Sequence, residues 1–157
     1  MQPEALELLL AQLDIDHFKR INDTHGHAIG DEVLRNFAKA VQSGLRDTDV
    51  LARWGGEEFL VLLNDTSPEL ANVGLERARM LLAEATLVAS LPELKPTFSA
   101  GLTAYNMTEA LDVCIERADR ALYKAKDSGR NCTVIRMGLT PADATYRSPT
   151  EPSTLQE

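Results

Sequence analysis

Two adjacent carboxylates, Glu57 and Glu58, follow a pair of glycines in the run Arg53-Trp54-Gly55-Gly56-Glu57-Glu58-Phe59. Val50 to Trp54 reads as one strand and Phe59 to Leu63 as its partner, with Gly55 and Gly56 free to take the positive φ angles of a tight hairpin. Such a turn displays acid toward solvent or a ligand. A third carboxylate, Asp14, closes an apolar stretch that begins at Leu6. Carboxylate oxygens are hard donors that suit magnesium, an ion that keeps waters and completes its shell with substrate phosphates. Taken singly, an Asp at a strand end is more often a turn residue and a lone Glu a solvated side chain. Asp14 to Asp23 is not an EF-hand, because Phe18 stands where a ligand is needed and Lys19 where that loop needs glycine.

Cations with chemical potential flank these acids in the chain. Phe18 and Lys19 follow the first strand directly, a place where backbone N–H groups converge on phosphate and an ammonium adds charge. Lys126 and Arg130 bracket the end of the last helix, where a lysine alone more often compensates the helix dipole. His25 and His27 form only an H-x-H pair on a loop, which does not make a metal site. Arg46 and Asp49 form an R-x-x-D pattern just before the hairpin. The arginine offers a planar fork of donors to an anion and the aspartate an acceptor. The plainer reading is a helix-ending arginine followed by a turn aspartate.

The elements that must position these groups follow from periodicity. Leu6 to Leu13 is apolar at nearly every position, as in a central strand covered on both faces. From Asp31 to Leu45, Val33, Leu34, Phe37, Ala38, Val41 and Leu45 recur at helical spacing, with Asp31 as N-cap. Ser67-Pro68 opens a helix whose predicted buried stripe is Leu70, Val73, Ala78, Leu81 and Leu82. Thr97 to Tyr105 returns as a strand. Asn106 to Ser128 reads as a helix opened by a capping box of Asn106 and Glu109 and stopped by Gly129, and Cys132 to Arg136 as a last strand. This order is that of an α+β fold in which helices cover a mainly antiparallel sheet.

At 157 residues the chain has the size of one domain, and its net charge of −8, from 16 basic and 24 acidic residues, argues against broad attraction to nucleic acid or an anionic membrane. Cys114 and Cys132 lie far from metal-type spacing and read as reduced thiols. With no apolar run near the roughly 18 residues needed to cross a bilayer, and acids where a secretory signal needs positive charge, a soluble cytoplasmic protein is expected. Residues 138–157 contain three of the seven prolines and no apolar period, which predicts a disordered tail behind a domain at 1–137.

Asp14-Ile15-Asp16-His17-Phe18-Lys19, Asn22-Asp23, Gly26-His27, Gly30-Asp31, the glycine and glutamate run at 55–59, Ala121-Leu122-Tyr123-Lys124-Ala125-Lys126 and Gly129-Arg130-Asn131 resemble, in order and spacing, the signature positions of the GGDEF-domain diguanylate cyclases. The match is to the GGEEF variant and runs from about Leu6 to Arg136. It implies a palm-like, ferredoxin-related sheet and the joining of two GTP molecules into cyclic di-GMP. By resemblance, magnesium, or manganese in its place, is held by Asp14, Glu57 and the Ile15 carbonyl. Glu58 acts as base or further ligand for the 3'-hydroxyl, and Lys19 stabilises the transition state.

The same resemblance gives the triphosphate to Lys126 and Arg130 and guanine to Asn22 and Asp31, with His27 shaping the loop or touching substrate. It makes Arg46 and Asp49 a product-inhibition site, completed by Arg77 across a homodimer. Where the family normally opens with a helix carrying an L-T-x-L-x-N-R motif, this sequence starts almost at the strand, so apolar surface is expected to be left open. The alternatives are a catalytically inactive receptor domain for cyclic di-GMP or GTP, and a palm acting on another nucleotide.

Overall fold

The computed structural model describes residues 7–138, and its centre is β1 (Glu7–Ile15). This strand pairs antiparallel with β3 (Glu58–Thr66) on one side and with β4 (Phe98–Ala104) on the other. β2 (Val50–Gly55) and the short β5 (Thr133–Ile135) form the edges, in the order β2-β3-β1-β4-β5, and only β4 and β5 run parallel. The mainly antiparallel α+β sheet is therefore as expected. The predicted tail from residue 139 on, and Leu6 at the start, lie outside the described residues.

Alternation along β1 divides the core. Leu9, Ala11, Leu13 and Ile15 face the larger cluster, built with α1 (Phe18–His25), α2 (His27–Ser43) and α3 (Pro68–Glu84). Leu10 faces the other side, where Leu60 packs with Cys114 and Ala118 of α4 (Leu111–Asp127). Gln12 and Asp14 share that second face by parity, so the sheet surface turns from apolar to polar toward the C-terminal end of β1. Among the described residues no helix is long and apolar enough to cross a membrane.

Five local readings need correction. Asp31 is not an N-cap, because α2 begins four residues earlier, at His27, behind Gly26 at φ +92°. The stretch read as a loop is itself the helix α1. Its hydrophobic anchors are only Phe18 and Ile21, too few to show a helical period. Gly30 explains the close crossing of α1 and α2, since a Cβ there would lie 1.8 Å from Asn22 Oδ1 and 3.3 Å from the Phe18 ring.

The helix α3 is capped as expected, Ser67 Oγ accepting the Leu70 N–H at 3.2 Å, a contact worth about 1 kcal/mol. Of the expected stripe Ala78 and Leu82 turn inward, but Ala71 and Leu75 complete the buried face, while Leu70, Val73 and Leu81 are exposed. Apolar residues occupy two faces of this helix, and small size decides between them. A Cβ on Gly44 would meet the Ala78 backbone at 2.8 Å, so only an alanine face can approach there.

The other two corrections concern α4 and the hairpin. Helix α4 begins at Leu111, not Asn106: Glu109 Oε2 accepts the Asn106 N–H at 3.2 Å as in a capping box, but Asn106 Oδ1 accepts from Thr108 in a local turn and Glu109 also pairs with the buried Arg117. In the hairpin only Gly56 takes a positive φ, +44°, while Gly55 still pairs with Glu58 across an irregular register. Glu57 and Glu58 are half-buried rather than fully displayed.

Candidate active site

The strand register brings the acids together. Asp14 stands directly opposite Glu58 in the β1–β3 ladder, and the Ile15 N–H donates to the Glu57 carbonyl at 3.4 Å. One cleft of about 540 Å³ is lined by Asp14, Ile15, Phe18, Lys19, Glu57, Glu58, Lys126 and Arg130, together with Asp16, His17, Arg20 and Asp23. His17, at φ +60°, makes the sharp exit from β1 that starts α1 beside the carboxylates. Residues more than 40 positions apart therefore meet at the ends of adjacent strands.

Burial dominates the electrostatics. Asp14 is 3% exposed, and burial pushes its carboxyl up to about 7; Lys126 opposes the rise while Glu57 and Glu58 add to it. Lys126 Nζ lies 2.5 Å from Asp14 Oδ2, so an ammonium already supplies positive charge at the cluster. Glu58 is also raised above the usual carboxylate range, first by burial, then by Asp119, with Lys126 pulling the other way. Among the described residues no three His, Cys, Asp or Glu side chains already stand in ligand geometry. The donor set nonetheless fits a hard divalent cation: its groups are oxygens, its central carboxylate is raised by crowding and burial, and a cationic side chain sits against it.

The predicted base-reading residues are placed elsewhere. Asn22, His27 and Asp31 do not line the acidic cleft. Asp31 lines a second cavity of about 500 Å³ between α2 and the hairpin, with Leu34, Arg35, Ala38, Leu51, Arg53 and Phe59. Asn22 Oδ1 is buried and has no hydrogen-bond partner among the described residues, which leaves an acceptor for a ligand donor. Lys19 reaches back to Asp23 at 3.1 Å and is largely exposed.

Two groups near the cleft escaped the sequence reading. Asp16 is 4% exposed and accepts from Thr97 Oγ1 at 2.7 Å, Ser99 Oγ at 2.6 Å and the Asn131 N–H at 3.0 Å. Asp119 accepts from Gln12 Nε2 at 3.2 Å, and burial raises its carboxyl while Lys126 lowers it. Its spacing held a signal, since Asp119 and Lys126 are seven residues apart on α4 and so share a face.

The family model for the diguanylate cyclase GGDEF domain matches residues 2–132. The chain belongs to the GGDEF family. This GGDEF chain is 50% identical over 125 residues to the diguanylate cyclase DgcP of Pseudomonas aeruginosa, covering 80% of this chain and 19% of that protein. It is 45% identical over 139 residues to diguanylate cyclase A of Treponema denticola, covering 88% and 37% respectively. The GGDEF chain thus spans well under half the length of these curated relatives. Among solved structures, the diguanylate cyclase SiaD of Pseudomonas aeruginosa, crystallised with its activator SiaC, superposes with a TM-score of 0.79 at 42% identity, over 83% of this chain and 50% of that one.

The R-x-x-D residues of this GGDEF chain form a closed local unit. Arg46 Nη2 pairs with Asp49 Oδ1 at 2.8 Å and donates to the Asn64 carbonyl, and the Arg46 N–H caps Asp49 Oδ2 at 2.8 Å. Asp49 is buried and Arg46 is exposed. The hydrogen bond to Asp49 raises the Arg46 guanidinium above its ordinary value. Arg77 Nη1 donates to the Gly44 carbonyl at 3.1 Å, which brings it to the same end of α2.

Proposed function

We propose that residues 1–137 are a diguanylate cyclase domain that condenses two GTP molecules into cyclic di-GMP and two pyrophosphates. The observation that carries this reading is Asp14 facing Glu58 across β1–β3 with Lys126 and Arg130 in the same cleft. Lys126, Arg130 and Lys19 bind and orient the triphosphate. Glu58, whose affinity for protons burial raises above that of an ordinary carboxylate, takes the proton of the 3'-hydroxyl. The 3'-oxygen bonds to the α-phosphorus of the facing GTP, the bond from that phosphorus to the β-phosphate oxygen breaks, and pyrophosphate leaves. A second, symmetric transfer closes the ring.

Asp14, Glu57 and the Ile15 carbonyl would hold magnesium, or manganese in its place. When bound, such an ion neutralises charge on the reacting phosphates. The unpartnered Asn22 Oδ1 and the neighbouring Asp31 read guanine, whose N1–H and N2–H donors adenine lacks. Arg46, Asp49 and Arg77 would bind the product and restrain the enzyme.

The test is incubation of the purified chain with GTP and magnesium, followed by chromatography of the nucleotides. Cyclic di-GMP is expected. Glu58→Gln should lower its formation by about a hundredfold or more while leaving cyclic di-GMP binding intact. Product binding by the unaltered chain with no turnover would favour the receptor reading instead.

A further inference from the structure

The loop that delivers Arg130 to the cleft holds that arginine in a left-handed conformation it avoids, between a glycine and an asparagine that tolerate it. Gly129, Arg130 and Asn131 have φ of +115°, +67° and +50°, three successive left-handed residues of which two carry a Cβ. Such backbone persists only where its surroundings over-determine it. Among the described residues Arg130 makes no side-chain hydrogen bond or ion pair. Its aim is therefore set by its backbone, whose N–H donates to the Ala125 carbonyl at 3.0 Å.

Two charged groups, one buried and one largely so, grip the next residue from different elements. Asp16 takes the Asn131 N–H at 3.0 Å on Oδ2, which also accepts from Thr97, while Oδ1 accepts from Ser99, so both oxygens are engaged by the protein although the residue borders the cleft. Arg79, on α3, does not line the cleft, and its side chain is 12% exposed. It donates from Nη1 to Asn131 Oδ1 at 3.1 Å and to the Phe98 carbonyl, and from Nη2 to Thr133 Oγ1 at 2.7 Å. Its guanidinium carbon lies 4.1 Å from the Phe98 ring centroid. A planar fork seated on an aromatic face fixes direction as well as distance.

We propose that Arg79 and Asp16 are positioning residues for Arg130, clamping the left-handed loop through Asn131 so that the Arg130 guanidinium is presented to a bound triphosphate. This rests on the reading that the cleft takes GTP. A merely structural Arg79 would tie α3 to β4 and β5 with no dependence on Arg130, and a double-mutant cycle separates the two roles.

The readout is the Kd of an α,β-methylene GTP analogue, measured calorimetrically with magnesium, for the unaltered chain, Arg79→Ala, Arg130→Ala and the double variant. Arg79→Ala should weaken binding about tenfold, yet change it by less than about twofold once Arg130 is alanine. Asn131→Gly tests the same link in a sequence that accepts the left-handed backbone. It loses the Oδ1 contact and should weaken binding about threefold in the Arg130 background only. It decides the matter if Arg79→Ala does not fold. Equal losses in both backgrounds, or no loss in either, would overturn the clamp. If the unaltered chain does not bind the analogue, the GTP reading falls and the clamp with it; if it binds and the cycle is additive, the clamp alone falls.

Discussion

Asp14 shows how a crowded acidic cleft is held at the expense of stability. Unfolded, its carboxyl ionises from about pH 3.8; folded, it keeps its proton to about 7, chiefly through burial. Between those values the folded chain binds more protons than the unfolded one, so stability falls as pH climbs through that window and levels off above it. In EDTA, urea unfolding at pH 8 should give a stability lower than at pH 5 by on the order of 2 kcal/mol from this group, and Asp14→Asn should flatten the slope. A slope of the opposite sign would mean that the ion pair with Lys126 outweighs burial. Arg46 lends itself to a different measurement. Because it pairs with Asp49 at the surface end of α2, away from the acidic cleft, Arg46→Ala should relieve inhibition by added cyclic di-GMP while initial rates with GTP stay within about twofold. Persistent inhibition would remove the R-x-x-D pair from regulation. That Asp14, Glu57, Glu58, Lys126 and Arg130 share one cleft was legible because they sit at fixed distances from punctuating glycines and strand ends. Asp16 was not: its importance lies in contacts with Thr97, Ser99 and Asn131, more than 80 positions away, which no local pattern encodes.

Close approach of backbones governs the elements. Gly101 of β4 lies under α4, where a Cβ would stand 2.1 Å from the Ala118 carbonyl and 2.4 Å from the Leu122 nitrogen. Both are backbone atoms, so no rotamer change relieves the clash and the helix itself must shift. Gly101→Ala should therefore cost about 3 kcal/mol by urea denaturation. Because α4 also carries Lys126, it should raise the KM for GTP. Gly74, on α3, has nothing within 4 Å of the place a methyl would take, and Gly74→Ala should stabilise by up to about 1 kcal/mol. Similar costs at both positions would show that close packing of α4 is not what Gly101 provides. The same principle marks the limit of reading elements from sequence. Periodicity located α3, and Ser67-Pro68 located its start, but two apolar faces compete there and only the Gly44–Ala78 contact selects the inward one. Helix α1 escaped because eight residues with two buried anchors carry too little period to register.

For the whole molecule the governing fact is stoichiometry. Each chain presents one such cleft, with one set of carboxylates and one set of cations, whereas a cyclic dinucleotide requires two 3'-oxygens each to attack the other nucleotide's α-phosphorus. Two facing copies supply this without any new chemistry, each bringing one GTP and one base. Below the dissociation constant of such a pair, the active species grows as the square of chain concentration, so tenfold dilution should lower turnover per chain roughly tenfold. Mixing offers a sharper form of the same test. A pair made of one unaltered copy and one Glu58→Gln copy retains a single working base, so one phosphodiester forms and the second transfer stalls. Titrating the Gln variant into the unaltered chain should make a linear guanosine dinucleotide triphosphate accumulate as cyclic product declines. Turnover per chain that is constant on dilution, with no linear product on mixing, would place both transfers within one copy, and the facing arrangement would have to be abandoned.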